Sequence, residues 1–346
     1  MEIDSIRRRL RDVGAMQVHE QRVLRDWLQV RSHDQARRHP KDYFPKALHE
    51  ALPEIDSELN GLARLISTHP TKDGSARLLV GLGDGQTVES VLLPRGGVCV
   101  SSQVGCAVGC QFCMTGRSGL IRQVTSGEIV AQVVLARTLR PVKKVVFMGM
   151  GEPAHNLNNV LDAIDLLGTE GNIAHKNLVF STVGDPRVFE RLPLGVVKPA
   201  LALSLHSTKP DLRATLLPRA PRMTPAELVA LGEQYARLTH YPVQYQWTLL
   251  EGINDGEDEL DGIVDLLKGK YAVLNMIPYN TIPDLSFRRP SWERAQTIAR
   301  ALHQRGVLTK LRDSAGQDVD AGCGQLRARA STLSRRTIAL QLTASL

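Results

Sequence analysis

The chain has 346 residues, of which 42% are hydrophobic and 23% charged, and a formal net charge of +7. These proportions are ordinary for a soluble globular enzyme, and no apolar run approaches the roughly 20 residues that a membrane span needs. The start, MEIDSIRRRLRD, sets acids among arginines without an apolar stretch, so no secretory leader and a reducing, cytoplasmic location are expected.

Residues 1–75 read as a polar, helical accessory domain punctuated by Pro40, Pro45, Pro53 and Pro70. Arg7, Arg8, Arg9 and Arg11 cluster at its start, and Arg37, Arg38 and Lys41 follow. Residues 76–97 read as a β-hairpin, because β-rich runs at Ala76–Gly81 and Thr87–Leu93 flank the turn residues Gly83, Asp84 and Gly85. Its glycines make no dinucleotide fingerprint: a strand follows them, not a helix.

From residue 98 strands and helices alternate. Strands are expected at Val98–Gln103, Lys144–Met148, Leu178–Thr182, Ala200–Leu205, Val243–Leu250 and Val273–Ile277, with Val307–Arg312 closing the sheet. A capping box, Thr125 with Glu128, opens one helix. Leu157, Val160, Leu161, Ile164 and Leu167 keep helical spacing up to Gly168. Thr224 caps another, with Pro225 at its first position and Glu227 at its third, and a last helix runs from Ser291 to Arg305. Such alternation means βαβ units around a parallel sheet. The fold class is therefore α/β: an open, partial (β/α)6 barrel over residues 98–326, preceded by the hairpin and the small helical domain. Residues 327–346 form a tail with Arg327, Arg329, Arg335 and Arg336 and no acid. Basic residues at both ends suit a polyanionic partner.

In such folds ligands lie beyond the carboxyl ends of the strands. The residues falling there are the Cys106–Cys113 loop, Gly149–Pro153, Ser181–Gly184, Ser204–His206, Glu251–Asn254 and Asn280. Three of the five cysteines crowd the first loop as Cys106-x3-Cys110-x2-Cys113, with Gly105, Gly109 and Gly116 around them. An odd cysteine count in a cytoplasmic chain argues for metal or redox chemistry over disulfides. Inert core cysteines fit a glycine-rich loop poorly. Zinc wants four ligands, and Cys99, His155 or His175 are available as the fourth. A four-iron cluster on three thiolates keeps one iron open for a ligand, and that reading is preferred.

Cys-x3-Cys-x2-Cys with Phe112 before the last cysteine resembles the radical S-adenosylmethionine (radical SAM) superfamily, and GMGEP at 149–153 resembles its loop for the cofactor's amino group. CVSSQVGC from Cys99, GMGEPAHNLNNV, ALSLHS and DAGCGQL around Cys323 together resemble the RlmN/Cfr family of RNA adenine methyltransferases, over residues 76–326. The resemblance implies a radical SAM barrel with a 4Fe-4S cluster on Cys106, Cys110 and Cys113. It implies S-adenosylmethionine held by Gly151, Glu152, Ser181, Ser204, Leu205, His206 and Asn280. It further implies that Cys323 carries the methyl group as S-methylcysteine and that Glu89 accepts the ring proton. Cys99 would then resolve the product through a transient disulfide with Cys323. The implied activity is methylation of C2 or C8 of an adenine in rRNA or tRNA, with two S-adenosylmethionines used per methyl. A one-electron donor such as flavodoxin and a monomeric state are expected with it.

Three segments depart from the family pattern: LPRAPRMTP at 217–225, STVG at 181–184, and SLHST without the usual residues after the histidine. They lie near the mouth of the site and bear on the RNA target and the attacked carbon. Two rival readings are a radical SAM activase or peptide-modifying enzyme, which needs no Cys99/Cys323 pair, and a basic RNA-binding module with structural zinc.

Overall fold

The computed structural model describes residues 1–33, 43–117, 119–283 and 285–327. Arg37, Arg38, Lys41 and the tail arginines beyond Arg327 lie outside the described residues. Three helices open the chain: α1 (Ile3–Asp12), α2 (Gln17–Leu28) and α3 (Lys46–Gly61). Ile3, Ile6 and Leu10, then Val23, Leu24, Trp27 and Leu28, then Leu48, Leu52, Ile55 and Leu59 recur at helical spacing and are buried. Part of the arginine cluster is committed to this packing: Arg9 pairs with Glu54 at 3.0 Å and with Glu58, fastening α1 to α3.

The segment expected to be helical up to residue 75 ends instead in a strand, β1 (Ala63–Pro70). It pairs antiparallel with β2 (Ala76–Leu82), with a bulge between Leu65 and Ser67. As an edge strand it is mostly exposed and carries no buried alternation to betray it in the sequence. β2 and β3 (Thr87–Leu93) form the expected hairpin, so the whole is a three-stranded meander.

β3 pairs antiparallel with β4 (Gly97–Cys99), where the barrel begins. The strand expected over Val98–Gln103 is broken. The chain leaves the sheet at Val100–Ser102 and re-pairs as β5 (Gln103–Gly105) with β6 (Leu120–Gln123) in a separate ribbon. The reason is local: the Ser101 N–H goes to Gln132 Oε1 at 2.9 Å and the Ser102 N–H to the Met150 carbonyl at 2.9 Å, so neither serves a sheet ladder.

Next come α4 (Ser126–Leu139), β7 (Lys144–Phe147), α5 (Leu157–Gly168), β8 (Leu178–Thr182), α6 (Pro186–Arg191) and β9 (Ala200–Ser204). They are followed by α7 (Pro210–Leu216), α8 (Pro225–Thr239), β10 (Val243–Leu249), α9 (Glu257–Leu267), β11 (Ala272–Pro278), α10 (Trp292–Gln304) and β12 (Thr309–Leu311). The capping boxes at Thr125 and Thr224 form as expected. The sheet order is β1-β2-β3-β4-β7-β8-β9-β10-β11-β12. Every neighbour pair from β4 to β12 is parallel, and β1 and β12 remain the edges of an open barrel. Parallel strands put all their carboxyl ends on one rim, which is what gathers distant loops into a site. Among the described residues, no helix is long and apolar enough to cross a membrane.

Gln132, fully buried on α4, holds the broken strand in place. Its Oε1 accepts from Ser90 Oγ (2.8 Å) and the Ser101 N–H (2.9 Å), and its Nε2 donates to the Ser101 carbonyl (2.9 Å). Gln132→Leu strands three buried polar groups at once. It is expected to lower unfolding stability by about 2–4 kcal/mol, read as a reduced urea midpoint with unchanged slope.

Candidate active site

The carboxyl rim surrounds an open cavity of about 160 Å³. Cys106, Cys110, Cys113, Gly151, Glu152, Ser181, Ser204, His206 and Cys323 all line it. Leu205, Asn280, Cys99 and Glu89 do not; all four are buried.

The cysteine loop springs from the β5–β6 ribbon. Gly105 sits at φ +83° at its neck, and a Cβ there would lie 2.0 Å from the Gly119 carbonyl oxygen, so only glycine lets the two sides close. The Cys113 N–H donates to the Cys110 carbonyl at 3.1 Å, closing a tight turn between the last two cysteines. Burial pushes the Cys106 thiol up to about 12 and Cys110 well above its ordinary value. Both therefore favour the protonated thiol at neutral pH, and a metal centre must displace those protons to bind. Among the described residues, no three His, Cys, Asp or Glu side chains close around a single ion. Three thiols spread over one cavity wall suit a multi-iron cluster, in which separate irons each take one thiolate. The donor set fits such a cluster, and none of Cys99, His155 and His175, read from the sequence as a fourth zinc ligand, lines the cavity.

Opposite lies the Gly149–Pro153 loop. The Glu152 N–H donates to Gln103 Oε1 at 2.8 Å. The Glu152 carboxyl accepts from the backbone N–H groups of Ala154 (3.1 Å) and Val183 (3.0 Å). Burial pushes it up to about 7, against the pull of Thr182 and those amides. His206, at φ +60°, accepts the Thr248 N–H on Nδ1 at 3.0 Å, which leaves its proton on Nε2. Burial, with Arg213 adding to it, drives the imidazole down to about 3, so it is neutral. Its ring meets Phe112 edge-on at 4.9 Å, joining the cysteine loop to the end of β9.

Sequence reasoning missed Arg213. In DLRATL it reads as a surface residue of a short helix, yet it is 3% exposed. Its guanidinium donates to the carbonyls of Val183 and Ser204, and its Nε has no partner. Burial lowers it to about 10, with Cys110 opposing, so it stays cationic at neutral pH.

Cys323 is exposed at the cavity, on the irregular segment after β12. Crowding protein atoms push its thiol up, while a hydrogen bond with Ser314 and the charge of Arg312 oppose them. Asn280 holds this segment: its Nδ2 donates to Ser314 Oγ (2.8 Å) and to the Cys323 carbonyl (3.0 Å). Its Oδ1 is buried without a partner. Cys99, at the end of β4, is pushed up to about 12 by burial and then by Cys323, which places the two thiols within electrostatic reach. They are not bonded. All five cysteines are free, so the disulfide anticipated from the sequence is absent from this structure. Glu89 on β3 is fully buried, ion-paired with Arg77, and accepts the Arg327 N–H at 3.0 Å. It stands beneath the Cys323 segment, two residues before Val91, which pairs with Cys99 across the sheet.

The radical SAM superfamily profile matches residues 100–267. A probable RNA methyltransferase of Leptothrix cholodnii is 71% identical over 346 residues, covering 100% of both chains. Another, from Azoarcus sp., is 69% identical over 336 residues, covering 97% of each. Among solved structures, a radical SAM methyltransferase from Sphaerobacter thermophilus superposes with a TM-score of 0.81 at 32% identity. The match covers 95% of this chain and 98% of that one.

The Glu152 carboxyl gives a test without any ligand. Its folded value, about 7, exceeds the ordinary 4.5, so the unfolded chain ionises first and stability falls as pH rises between these values. In apo-protein, Glu152→Gln removes this term. The stability of Glu152→Gln relative to wild type is expected to rise by roughly 3 kcal/mol from pH 4.5 to 7.5 in urea titrations.

Proposed function

The chain belongs to the radical SAM RNA methyltransferases, and from that premise we propose that it methylates an sp² ring carbon, C2 or C8, of an adenine in rRNA or tRNA. The methyl travels on Cys323 as S-methylcysteine, and two S-adenosylmethionines are used per transfer. One observation carries the reading: Cys323, from the far end of the chain, lines the same cavity as Cys106, Cys110 and Cys113. A reactive thiol facing a three-thiol cluster loop has no use in an enzyme that only abstracts hydrogen from a peptide.

When bound, the 4Fe-4S cluster and S-adenosylmethionine supply one-electron reduction and a methyl sulfonium. The chain's own residues do the rest. Gly151, Glu152, Ser181, Ser204, Leu205, His206 and Asn280 are assigned to the cofactor's polar groups or to the loops that present them. Glu152 offers a carboxyl near its midpoint of ionisation, suited to accept a hydrogen bond from an ammonium. Neutral His206 offers an Nε2–H donor. Cys323, as thiolate, would take the methyl: its sulfur would form the new S–C bond as the sulfonium's S–CH3 bond broke, the electron pair leaving with the cofactor's thioether sulfur. An adenine ring carbon is electron-poor and does not attack a sulfonium itself, so a carbon bridge from Cys323 to the ring is the route that avoids this difficulty. Glu89 takes the proton from the ring carbon. Cys99, within electrostatic reach of Cys323, frees the product by attacking the Cys323 sulfur: an S–S bond forms, the S–C bond to the product breaks with its electron pair and a proton going to the product carbon, and two electrons and two protons from the external reductant reopen the disulfide.

Anaerobic incubation with dithionite, S-adenosylmethionine and total RNA, followed by mass spectrometry of nucleosides, is expected to give a methyladenosine; its absence sinks the reading. Cys323→Ala is expected to abolish the product entirely. Cys99→Ala is expected to accumulate a protein–RNA crosslink, visible as a gel shift that ribonuclease trims, and a variant that turns over normally denies Cys99 its role.

A further inference from the structure

Arg213 is an unusual cation. It is buried, its guanidinium meets only carbonyl oxygens (Val183, Ser204 and, at 3.5 Å, Met223), and its Nε is satisfied by nothing. Among the described residues no Asp or Glu forms an ion pair with it. A buried charge without a counter-ion is costly, so its presence calls for a negative partner. The negative partner has an obvious place. The helix that carries Arg213, α7, ends against the cysteine loop, where the Leu216 carbonyl accepts the Gln111 N–H at 3.0 Å. Leu216 and Leu217 pack in one apolar cluster with Cys106, Cys110 and Cys113. Arg213 also feels the charge of Cys110 directly. Once three thiolates hold a cluster there, the missing counter-charge is supplied.

We propose that Arg213 sets the reduction potential of the cluster held by Cys106, Cys110 and Cys113, as an uncompensated buried cation that favours the cluster's reduced form. The inference rests on the cluster reading and is independent of which RNA is methylated. Reduction moves one electron from the external donor to the cluster and adds one negative charge; no bond forms or breaks and no proton moves. A fixed cation in a low-dielectric wall stabilises the more negative state, so it raises the potential and makes a weak cellular donor sufficient. Arg213 is a positioning and tuning residue, not one that touches the reacting atoms.

The test is a redox titration of the full-length protein, reconstituted anaerobically with iron and sulfide, without RNA, followed by electron paramagnetic resonance. Arg213→Met removes the charge at similar volume, and Arg213→Lys keeps it. At the wild-type midpoint, Arg213→Met is expected to show a reduced-to-oxidised ratio lowered about tenfold, equivalent to a negative shift of about 59 mV for a one-electron couple. Arg213→Lys is expected to stay within about threefold of wild type, by the same conversion. Equal potentials for the Met and Lys variants at full iron content overturn the inference. Should Arg213→Met fail to fold, Arg213→Gln is read against Lys in its place, and loss of iron from both neutral variants assigns the side chain to assembly and also overturns it. Absence of iron from the wild type is a different failure, that of the cluster reading itself.

Discussion

The Ser101 hydroxyl is the fixed point of the site. It donates to the Glu89 carbonyl at 2.6 Å and accepts the Met150 N–H at 2.8 Å, so one small side chain fastens the meander, the first barrel strand and the Gly149–Pro153 loop together. The approach is so close that Gly149 has no room for a side chain: a Cβ there would lie 2.6 Å from the Val100 carbonyl and 2.7 Å from Ser101 Oγ. Gly151 faces the same limit against Gln103, and Gln103 in turn holds the Glu152 amide. Break the Ser101 contact and the loop opposite the cysteines loses its depth. The Gln132 amide, which satisfies both backbone groups of Ser101, is what makes the departure of the chain from the sheet at that point affordable.

Electrostatically the cavity is built neutral. Three ionisable groups of its wall are displaced toward their uncharged forms: Cys106 upward, Glu152 upward, His206 downward, each chiefly by burial. Such a wall admits an anionic centre only if something positive remains. Arg213 is on one side of the cysteines, and Arg312 lies near Cys323 on another. Burial lowers Arg312 too, and its Nε is turned to Asn275 Oδ1 at 2.8 Å, not to a carboxylate. Neither lines the cavity, but two cations thus stand near its cysteines with polar, uncharged partners, which is the pattern expected where charge arrives with the ligand.

Much of this was legible in the sequence because the barrel repeats one rule. β8 matches its expected bounds, and β7, β9, β10 and β11 match theirs to within a residue, since each is a short run rich in β-branched, aromatic and other apolar residues between helical patterns. The cavity wall was legible for the same reason: rim residues of successive strands must converge. What escaped depends on long-range contacts. β1 has no buried stripe and is held as a strand only by β2. The break after Cys99 is imposed by Gln132, about thirty residues away in sequence, as the pairing of Ser101 with it shows. Arg213 looks like any helix-surface arginine until α7 is laid against the cysteine loop. Asn280 was assigned to the cofactor by motif, whereas its hydrogen bonds in the structure go to the segment that carries Cys323.

That segment raises a problem that the meander answers. Among the described residues after β12, the one regular element is a short turn at Gln317–Val319, which does not reach Cys323. The meander reaches it from the other edge of the sheet. Asp73 accepts the Gly316 N–H at 3.1 Å; although burial pushes its carboxyl up, hydrogen bonds from Ser75, Thr71 and Gly316 hold it down to about 2. Arg77 Nε donates to the Val319 carbonyl at 2.7 Å, and Glu89 takes the Arg327 N–H. From the cysteine loop, Thr115 Oγ1 donates to the Leu326 carbonyl at 2.6 Å and the Met114 N–H to that of Gly324 at 2.7 Å. An open barrel leaves two edges that need covering. Here three antiparallel strands extend one edge, and their side chains then bridge to the chain leaving the other, so the gap is spanned by hydrogen bonds to irregular backbone and not by a ladder. A reactive sulfur that must face a cavity from outside the sheet is held best in this way, because each bond fixes one backbone group and leaves the cysteine side chain open to solvent.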